Sequence, residues 1–242
     1  MSRTKRVSVV VPTYREPDLQ PFLQRLSRAL APLDGEIVIV DDSDDATHDA
    51  LRASATGWSA VEVRVLRGTR RGKGDAIRIG LLAAEGAVLL YLDADIEESK
   101  LLLLPQFVSL IENDGYNVVM GERRSRWEYR NFGRFLLSLG LFLAQRLFIF
   151  QSARFFDTQF GFKAFDRESA RHIASLQTVP GGMIDIEHLY IATRNHMRIA
   201  QLPVTPVREL RPSRLRILRC LVTDPIALLR VKWNGVRGRY ER

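Results

Sequence analysis

Short apolar runs that alternate with helical patterns are the feature of this sequence that most constrains its fold. Residues 18–30 place Leu19, Leu23, Leu26 and Leu30 on one side of a helix, and residues 71–86 read as a Gly-rich turn that leads into another. Five runs rich in Val, Ile and Leu are predicted strands: residues 7–11, 36–40, 61–66, 87–92 and 116–121. The alternation predicts an α/β fold whose mostly parallel sheet is covered by helices on both faces.

Polar residues gather where these predicted strands end. Pro12 stops the first strand, Asp41-Asp42 ends the second, and Asp93-x-Asp95 ends the fourth. The carboxyl ends of parallel strands meet at one edge of a sheet, which is where such folds bind ligands. We therefore expect a nucleotide-type site at this edge.

Asp93 and Asp95 have the chemistry and spacing of a divalent-metal site. Mg²⁺ and Mn²⁺ prefer carboxylate oxygens, and Mg²⁺ usually shares its coordination shell with substrate phosphates. We expect these two residues to hold Mg²⁺ or Mn²⁺, with Glu97 as a further ligand. The alternative is that one of the acids only caps the following helix, a role that Ser99 could also fill.

Composition and charge restrict the classes of partner. The chain has 242 residues, of which 46% are hydrophobic, and this allows one large domain or two small ones. The net charge is +8, and residues 208–242 hold ten Lys and Arg against three Asp and Glu. Such a basic tail suits an anionic surface, whether lipid, nucleic acid or a phosphorylated substrate, or is simply solvated.

Cysteine usage and hydropathy point to the cytoplasmic side of a membrane. Cys220 is the only cysteine, so an intrachain disulfide is excluded, as is usual in the cytosol. The first residues, "MSRTKR", contain no apolar signal core. The apolar stretch 135–150 is interrupted by Gln145 and Arg146 and is too short to span a bilayer alone.

Two helical patterns are expected to lie on a membrane rather than to cross it. Residues 132–151 are apolar nearly all round, apart from a narrow polar stripe that contains Arg134 and Ser138. Residues 213–233 separate leucines from arginines in the manner of a basic amphipathic helix. Within the second pattern, Asp224-Pro225 predicts the start of a new short helix.

Four motifs in the first 125 residues together resemble family 2 glycosyltransferases of the GT-A fold: "VVVPTYREPD", "VDDSDDAT", "RRGKGDAI" and "LDAD". The resemblance implies a nucleotide-sugar donor and inversion at the anomeric carbon. It implies that the donor is bound by Pro12, Tyr14, Glu16, Asp42, Lys73 and Asp93, and that Asp93 and Asp95 hold the metal. Arg15 and Arg70 stand at positions where such enzymes often have Asn, and Ala46 stands where Gly is usual.

The second half resembles the polyprenyl-phosphate glycosyltransferases, and among them the dolichyl-phosphate β-glucosyltransferases more closely than the dolichyl-phosphate mannose synthases. The segments concerned are "GERR" (121–124), "DTQFGFKAFDRES" (157–169), "MIDIEHLYIA" (183–192) and "DPIALLRVKWNGVRGRY" (224–240). The resemblance implies a polyprenyl phosphate acceptor. A lipid phosphate is already ionised, so it needs cations that position it rather than a base that deprotonates it.

Site roles in the second half follow from this resemblance. The candidates for binding the acceptor phosphate are Arg123, Arg134, Ser138 and Lys163. Asp95, Arg123 and Asp157 are expected to be catalytic, and Asp157 could orient the acceptor, contact the metal or act as a base. Asp185 and Glu187 either contact hydroxyls of the donor sugar or pair locally.

The expected enzyme is an inverting transferase that moves a hexose from UDP-glucose, or second from GDP-mannose, to a polyprenyl or dolichyl phosphate. We expect a cytoplasmic protein that is peripheral on the inner face of an anionic membrane, helped by a homodimer or by a membrane-protein partner. The predicted GT-A domain covers 1–207, with a nucleotide-sugar half (1–125) and an acceptor half (126–207), and 208–242 form the basic tail.

Two rival functions remain open at this level. A soluble family 2 enzyme acting on a saccharide or small-molecule hydroxyl would need a true base, such as Asp157 or Asp185. A non-catalytic basic domain would bind nucleic acid or anionic lipid, but the intact acidic motif argues against it, so no nucleic-acid partner is expected. The four histidines lack zinc-ligand spacing.

Overall fold

The computed structural model of the protein describes residues 6–16, 19–55, 60–123, 140, 143–150, 155, 157–204 and 217–241, with only the backbone given for 217–222. Seven strands in this part of the chain form a single sheet: β1 (Val7–Thr13), β2 (Gly35–Asp41), β3 (Glu62–Arg67), β4 (Val88–Leu92), β5 (Val118–Arg123), β6 (Phe162–Asp166) and β7 (Ile199–Val204). Their order across the sheet is β3-β2-β1-β4-β6-β5-β7. The predicted α/β class with a mostly parallel sheet is confirmed.

Helices cover both faces of this sheet, as predicted. The described α-helices are α1 (Leu19–Leu30), α2 (Asp45–Ala55), α3 (Lys73–Ala83), α4 (Glu98–Leu101), α5 (Leu104–Glu112), α6 (Arg167–Leu176), α7 (Ile184–Arg194) and α8 (Ile217–Val236). Leu23 of α1 and Phe107 of α5 are buried in one core cluster. Ile77 of α3, Ile173 of α6 and Leu189 of α7 are buried in the other cluster, which lies against the opposite face.

All five predicted strands are present, each within two residues of its predicted bounds, but β6 and β7 were not predicted. β6 runs antiparallel to β4 and β5, with Leu92 opposite Phe162 and Met120 opposite Lys163. Because of its direction, β6 begins at the edge where β4 and β5 end. It therefore carries Lys163 toward the predicted site.

The predicted helix at 132–151 lies largely outside the described residues, and so do Arg134 and Ser138. Its described end contains a π-helix at Gln145–Phe150 that contacts α7 and α8. Gln145 is buried there, and its side-chain oxygen accepts a hydrogen bond from Thr158 Oγ1. The predicted domain divisions at about 125 and at 207 fall beside residues outside the described ranges, so they stay predictions.

The predicted helix start at Asp224-Pro225 is wrong, because α8 runs from Ile217 to Val236 without a break. A proline inside a helix removes one backbone hydrogen bond. Packing offsets this loss, since Leu228 and Val231 of the same helix are buried in the core cluster of α3 and α7. The amphipathic face thus determines the helix, not the local signal of the proline.

Gly235 lets α8 approach α7 closely. A Cβ at this position would overlap the ring of Tyr190, whereas a Cβ at Gly181 would have nothing within 4 Å. Because Gly235 is in the helix, Ala would improve helix propensity by about 1 kcal/mol, but the overlap costs about 1–3 kcal/mol.

We therefore expect Gly235→Ala to lower the Tm by a few degrees, since overpacking outweighs propensity. Gly181→Ala serves as the matched control and should leave the Tm nearly unchanged. Thermal unfolding followed by circular dichroism measures both variants. A Gly235→Ala protein as stable as wild type would contradict the close packing of α8 on Tyr190.

Candidate active site

The site lies at the sheet edge where β1, β2, β4 and β5 end, as the polar residues predicted. Asp41 at the end of β2 is buried and accepts hydrogen bonds from Thr13 Oγ1 (3.1 Å) and Ser43 Oγ (2.6 Å). Its other oxygen lies 3.2 Å from Nδ1 of His48. These contacts fix the ends of β1 and β2 relative to each other, so Asp41 has a structural role at the edge.

Asp42, the neighbouring predicted donor ligand, joins the end of β2 to the loop after β3. Its Oδ1 accepts a hydrogen bond from the backbone N–H of Arg70 at 2.8 Å, and its own N–H donates to the Thr13 carbonyl at 2.9 Å. A Cβ at Gly68 would overlap this carboxylate, so the glycine is required for the approach. Asp42 is thereby held at the predicted nucleotide edge.

Of the predicted base-binding residues, Pro12 lies within β1, which continues to Thr13 instead of stopping at the proline as predicted, and Tyr14 and Glu16 lie in the loop that follows. Pro12 is partly buried, Glu16 is partly buried, and the ring of Tyr14 is 59% exposed. The guanidinium of Arg15 lies 5.7 Å from the centre of the Tyr14 ring. An exposed aromatic ring beside Asp42 suits the stacking of a base, which remains a prediction for these residues.

Arg15 and Arg70, the two departures from the usual Asn, both have positive φ angles of 48° and 61°. Asn is strongly enriched in this backbone region, which explains in physical terms why it is frequent at these two positions. Each arginine here makes an ion pair that helps to hold the strained turn. Arg15 lies 2.9 Å from Asp44, and Arg70 lies 2.7 Å from Asp45.

A cluster of two lysines and two aspartates forms the centre of the site. Lys73 Nζ at the start of α3 lies 2.6 Å from Asp93 Oδ1 and 4.0 Å from Asp185 Oδ2. Lys163 from β6 is fully buried and donates to Asp185 and to the carbonyl of Phe160. The hydroxyl of Tyr91 also donates to Asp185, at 2.7 Å. The structure thus brings together residues from four separate elements.

Burial and pairing act against each other on these four groups. Burial lowers the pKa of Lys73, but the carboxylates of Asp93, Asp185 and Asp95 outweigh it and the pKa is raised. Burial raises the pKa of Asp93 despite the opposing effect of Lys73. For Asp185, two lysines overcome burial and lower the pKa, whereas burial lowers the pKa of Lys163. Asp185 is therefore firmly a carboxylate.

Gly161 is a site residue that the sequence analysis missed. The backbone N–H of Asp93 donates to the Gly161 carbonyl at 3.2 Å, and a Cβ at Gly161 would overlap the Asp93 carboxylate. The sequence feature that could have indicated it is its place directly before the residues that form β6. Tyr91 was also missed, because its apolar neighbours made it look like a core residue.

Asp95 and Glu97 lie beyond Asp93 in different settings. Asp95 is exposed, whereas Glu97 lies 3.4 Å from the ammonium of the buried Lys100. Among the described residues, no three His, Cys, Asp or Glu side chains form a group that could hold a metal. That Asp93 and Asp95 hold a divalent ion, which would take its other ligands from substrate phosphates and water, stays a prediction. Glu97 as a ligand stays a prediction.

Arg123 and Asp157 form the other half of the site. Asp157 is fully buried and receives hydrogen bonds from Arg123 Nε at 2.5 Å and from Arg123 Nη2 at 3.0 Å. This is the bidentate geometry in which guanidinium and carboxylate bind most strongly. The guanidinium of Arg123 also lies 5.4 Å from the centre of the Phe160 ring. Its side chain keeps 34% of its surface exposed.

Glu187 belongs to a different network from Asp185. It is fully buried and accepts hydrogen bonds from the Thr178 N–H (2.8 Å), Thr178 Oγ1 (2.6 Å), the Val179 N–H (2.8 Å) and the Tyr240 hydroxyl (2.6 Å). Of the two alternatives left open for Glu187, the structure therefore favours local pairing. Asp185 is the one that faces the lysines.

The loop that Glu187 holds covers the start of α3. Gln177 Nε2 donates to the Gly74 carbonyl at 2.8 Å, and the Asp75 N–H donates to the Pro180 carbonyl at 3.1 Å. A Cβ at Gly74 would lie 2.7 Å from the Val179 carbonyl oxygen. The loop thereby fixes the helix turn that carries Lys73.

A mixed sheet with acidic residues at the carboxyl ends of its strands is the architecture of the GT-A glycosyltransferases. Residues 8–173 match Glycosyl transferase family 2, and the chain belongs to this family. Both the predicted family and the predicted enzyme class, a glycosyltransferase, are confirmed.

Two similar proteins each cover two thirds or more of the chain. It is 32% identical over 223 residues to a dolichyl-phosphate beta-glucosyltransferase of Drosophila melanogaster, which spans 84% of this chain and 67% of that protein. It is 31% identical over 169 residues to a dolichol-phosphate mannosyltransferase of Pyrococcus furiosus, which spans 67% of this chain and 47% of that protein. The chain thus spans about two thirds or less of their lengths.

Among solved structures, the fold is similar to that of glucosyl-3-phosphoglycerate synthase from Mycobacterium tuberculosis in complex with Mn²⁺, uridine-diphosphate-glucose and phosphoglyceric acid. The TM-score is 0.69 at 24% sequence identity, covering 94% of this chain and 79% of that one. This likeness supports the GT-A fold.

We predict that Gly161→Ala lowers kcat/KM for sugar transfer by more than tenfold, because the added methyl group displaces Asp93. A misplacement of about 1 Å in a reacting group can cost on the order of 100-fold in rate. Gly182→Ala is the control, since a Cβ there has nothing within 4 Å. Equal activity of the two folded variants would show that Asp93 does not depend on Gly161.

His188 gives a pH prediction. Burial lowers its pKa to about 3. The carboxylate of Asp185 opposes this shift, and the ammonium of Lys163 adds to it. Below about pH 6.5 the histidine therefore binds a proton in the unfolded chain but not in the folded protein. The free energy of unfolding falls as the pH drops from there toward 3. The loss is about 1.4 kcal/mol per pH unit.

We expect His188→Gln to flatten this acid slope, because the variant has no group that titrates there. The measurement is the Tm between pH 7 and pH 4, and the slope of Tm against pH is compared rather than the Tm itself. His172→Gln, a variant of a partly exposed histidine, should keep the wild-type slope. An unchanged slope in His188→Gln would refute the assignment.

Proposed function

We propose that this protein is an inverting glycosyltransferase that transfers a hexose from a nucleotide diphosphate sugar to a polyprenyl phosphate such as dolichyl phosphate. One observation carries the proposal. Two carboxylates were candidates for a base that would activate a hydroxyl acceptor, and each of them is already paired with another side chain. Asp157 is buried against Arg123, and Asp185 is bonded to Lys163 and Tyr91. Carboxylates stabilised in this way are weak bases.

An acceptor that is already ionised needs no base. Arg123 is the cation best placed to meet it, because its guanidinium is oriented by Asp157 while part of its surface is exposed. Arginine matches the geometry of phosphate oxygens. In this proposal Asp157 positions Arg123, and Arg134 and Ser138 contribute to the same phosphate site.

Lys163 acts indirectly in this proposal. Because it is fully buried and bonded to Asp185, it keeps Asp185 charged and in place rather than reaching the acceptor. Asp185 in turn accepts hydrogen bonds from hydroxyls of the donor sugar.

The donor side is formed by Lys73, Asp93 and Asp95. A divalent ion, Mg²⁺ or Mn²⁺, bound by the two aspartates would offset the charge of the donor diphosphate as it leaves. Lys73 lies 2.6 Å from Asp93 and supplies a further cation at the same point. Tyr14, Pro12, Glu16 and Asp42 bind the base and ribose.

UDP-glucose is the proposed donor, with GDP-mannose second. The name of the Drosophila relative, which spans more of this chain than the Pyrococcus mannosyltransferase, supports glucose. The similar fold of the mycobacterial complex holds uridine-diphosphate-glucose together with Mn²⁺, which supports the same donor and a divalent metal here.

We place the enzyme on the inner, cytoplasmic face of a membrane, where it would meet its lipid acceptor. No helix among the described residues is long and apolar enough to cross a bilayer. α8 exposes Ile226, Leu229, Trp233 and Val236, which lie within about 80° of one another at 100° per residue. Such a face suits peripheral binding to an anionic bilayer, with or without a second copy or a membrane-protein partner.

A radiolabelled transfer assay tests the proposal. The protein is incubated with labelled UDP-glucose or GDP-mannose, Mg²⁺ or Mn²⁺, and a short-chain polyprenyl phosphate in detergent. We expect metal-dependent label in the organic phase from UDP-glucose, and a loss of at least 100-fold in Asp95→Asn, because a ligand of the metal is removed.

Asp114→Asn is the matched control, because Asp114 is an exposed residue that follows α5. It should keep the wild-type rate. Label that appears only in a water-soluble glycoside would overturn the lipid-phosphate acceptor and favour a hydroxyl acceptor. Transfer from GDP-mannose alone would overturn the choice of donor.

A further inference from the structure

A second basic site lies outside the residues assigned to donor and acceptor. It is a cavity of about 570 Å³ between α3, the loop at 177–180 and α8. Among the described residues, its lining has one carboxylate, that of Asp75, and four arginines: Arg71, Arg78, Arg230 and Arg239. Neither Asp93 nor Arg123 is among its lining residues, so it is separate from the chemistry described above.

The positive charge in this cavity is poorly balanced. Asp75 already accepts a hydrogen bond from Thr69, and its nearest arginine, Arg71, lies 4.0 Å away. Within the described residues, the side chains of Arg230 and Arg239 make no hydrogen bond or ion pair. Arg78 donates to the Ala174 carbonyl at 3.1 Å, so Arg230 and Arg239 are the two arginines left for a ligand. Guanidinium groups without carboxylate partners are well suited to binding a phosphate group.

The walls of the cavity are fixed by buried contacts. Asn234 Nδ2 donates to Thr178 Oγ1 at 3.0 Å and to the Tyr240 hydroxyl at 3.2 Å. Both partners are bonded to Glu187, so α8 and the loop at 177–180 hold a constant separation. The backbone that carries Arg230 and Arg239 is therefore fixed before any ligand binds.

The cavity adjoins the exposed apolar face of α8. Trp233 lines the cavity and is 56% exposed, and Leu229 and Val236 on the same face are 71% and 70% exposed. A ligand with an anionic head and an apolar body would place its charge among the arginines and its body along Trp233. A phospholipid has this form, and a free phosphate ion does not.

We propose that this cavity binds the phosphate of an anionic phospholipid headgroup and so sets the orientation of the enzyme on the bilayer. The choice of a lipid rather than a soluble phosphate rests on the proposed function, which places the enzyme at a membrane. The site is distinct from the proposed acceptor site, because neither Arg123 nor Asp157 lines the cavity.

Vesicle co-sedimentation at constant ionic strength tests the proposal, with phosphatidylcholine vesicles that contain or lack phosphatidylglycerol. The cavity variant is Arg230→Gln/Arg239→Gln. The matched control is Lys232→Gln/Arg171→Gln, which removes the same charge at residues that do not line the cavity. Arg237 is kept, because its guanidinium lies 4.3 Å from the centre of the Trp233 ring. Circular dichroism and the Tm establish that both variants are folded.

Diffuse attraction to an anionic bilayer accounts for about fivefold for each lost charge, or ~25-fold for two, so we expect the cavity variant to bind phosphatidylglycerol vesicles more than ~25-fold more weakly than wild type. The control should lose clearly less. An equal loss in both variants would overturn the proposal, because it would indicate diffuse attraction rather than a site. Binding that is unchanged in the cavity variant would overturn it as well.

Soluble phosphate distinguishes the two sources of ligand. Glycerol 3-phosphate should displace wild-type protein from the anionic vesicles and have little effect on what the cavity variant retains. If inorganic phosphate raises the Tm of wild type but not of the cavity variant, while vesicle binding is the same for both, the site takes a free phosphate and the lipid assignment is wrong.

The transfer assay in detergent separates this proposal from the proposed function. With a short-chain acceptor the cavity variant should transfer sugar at the wild-type rate, because no bilayer needs to be recognised. A cavity variant that binds vesicles normally but transfers no sugar would show that the cavity belongs to the catalytic site, and the proposal would be wrong. If wild type itself transfers nothing, the proposed function fails, and the vesicle comparison still decides the cavity.

Discussion

The buried pairing of Asp185 with its lysines is the interaction on which the catalytic edge depends. Lys73 comes from α3, Asp93 follows β4, Lys163 lies in β6 and Asp185 begins α7, so the cluster connects elements that are far apart in the chain. Removing one member of a buried ion pair leaves the other uncompensated, at a cost of about 3–5 kcal/mol. The cluster therefore stabilises the structure at this edge of the sheet and also keeps its side chains charged.

The same electrostatics bear on the chemistry. A site for a hydroxyl acceptor needs one carboxylate with a raised pKa near the reacting atoms, as general base catalysis requires. Asp185 has a lowered pKa, held down by Lys163 and Lys73 against burial, and Asp157 is matched by Arg123. Within the described part of the site, Asp93 has a raised pKa, and it is one of the two aspartates proposed for the metal. The arrangement suits the positioning of anions better than the removal of protons.

The sequence predicted what depends on local pattern. The five apolar runs gave strands, and acids at strand ends could be placed at one edge because parallel strands share it. β6 could not be found in this way, because its antiparallel pairing with β4 and β5 joins distant segments. The different roles of Asp185 and Glu187 could have been predicted, since two residues on a helix span about 200° of rotation and so point to nearly opposite sides. The continuity of α8 through Pro225 needed the packing of Leu228 and Val231.

The hydroxyl of Tyr240 has a consequence for how the enzyme can be dissected. It bonds to Glu187, Glu187 bonds to the loop at Thr178 and Val179, and that loop covers the turn of α3 that carries Lys73. A shortened chain that ended before α8 would expose a buried carboxylate and loosen the lysine beside Asp93. The proposed membrane-binding surface of α8 and the proposed donor site thus share one hydrogen-bonded framework, and a minimal catalytic fragment would have to retain the last helix.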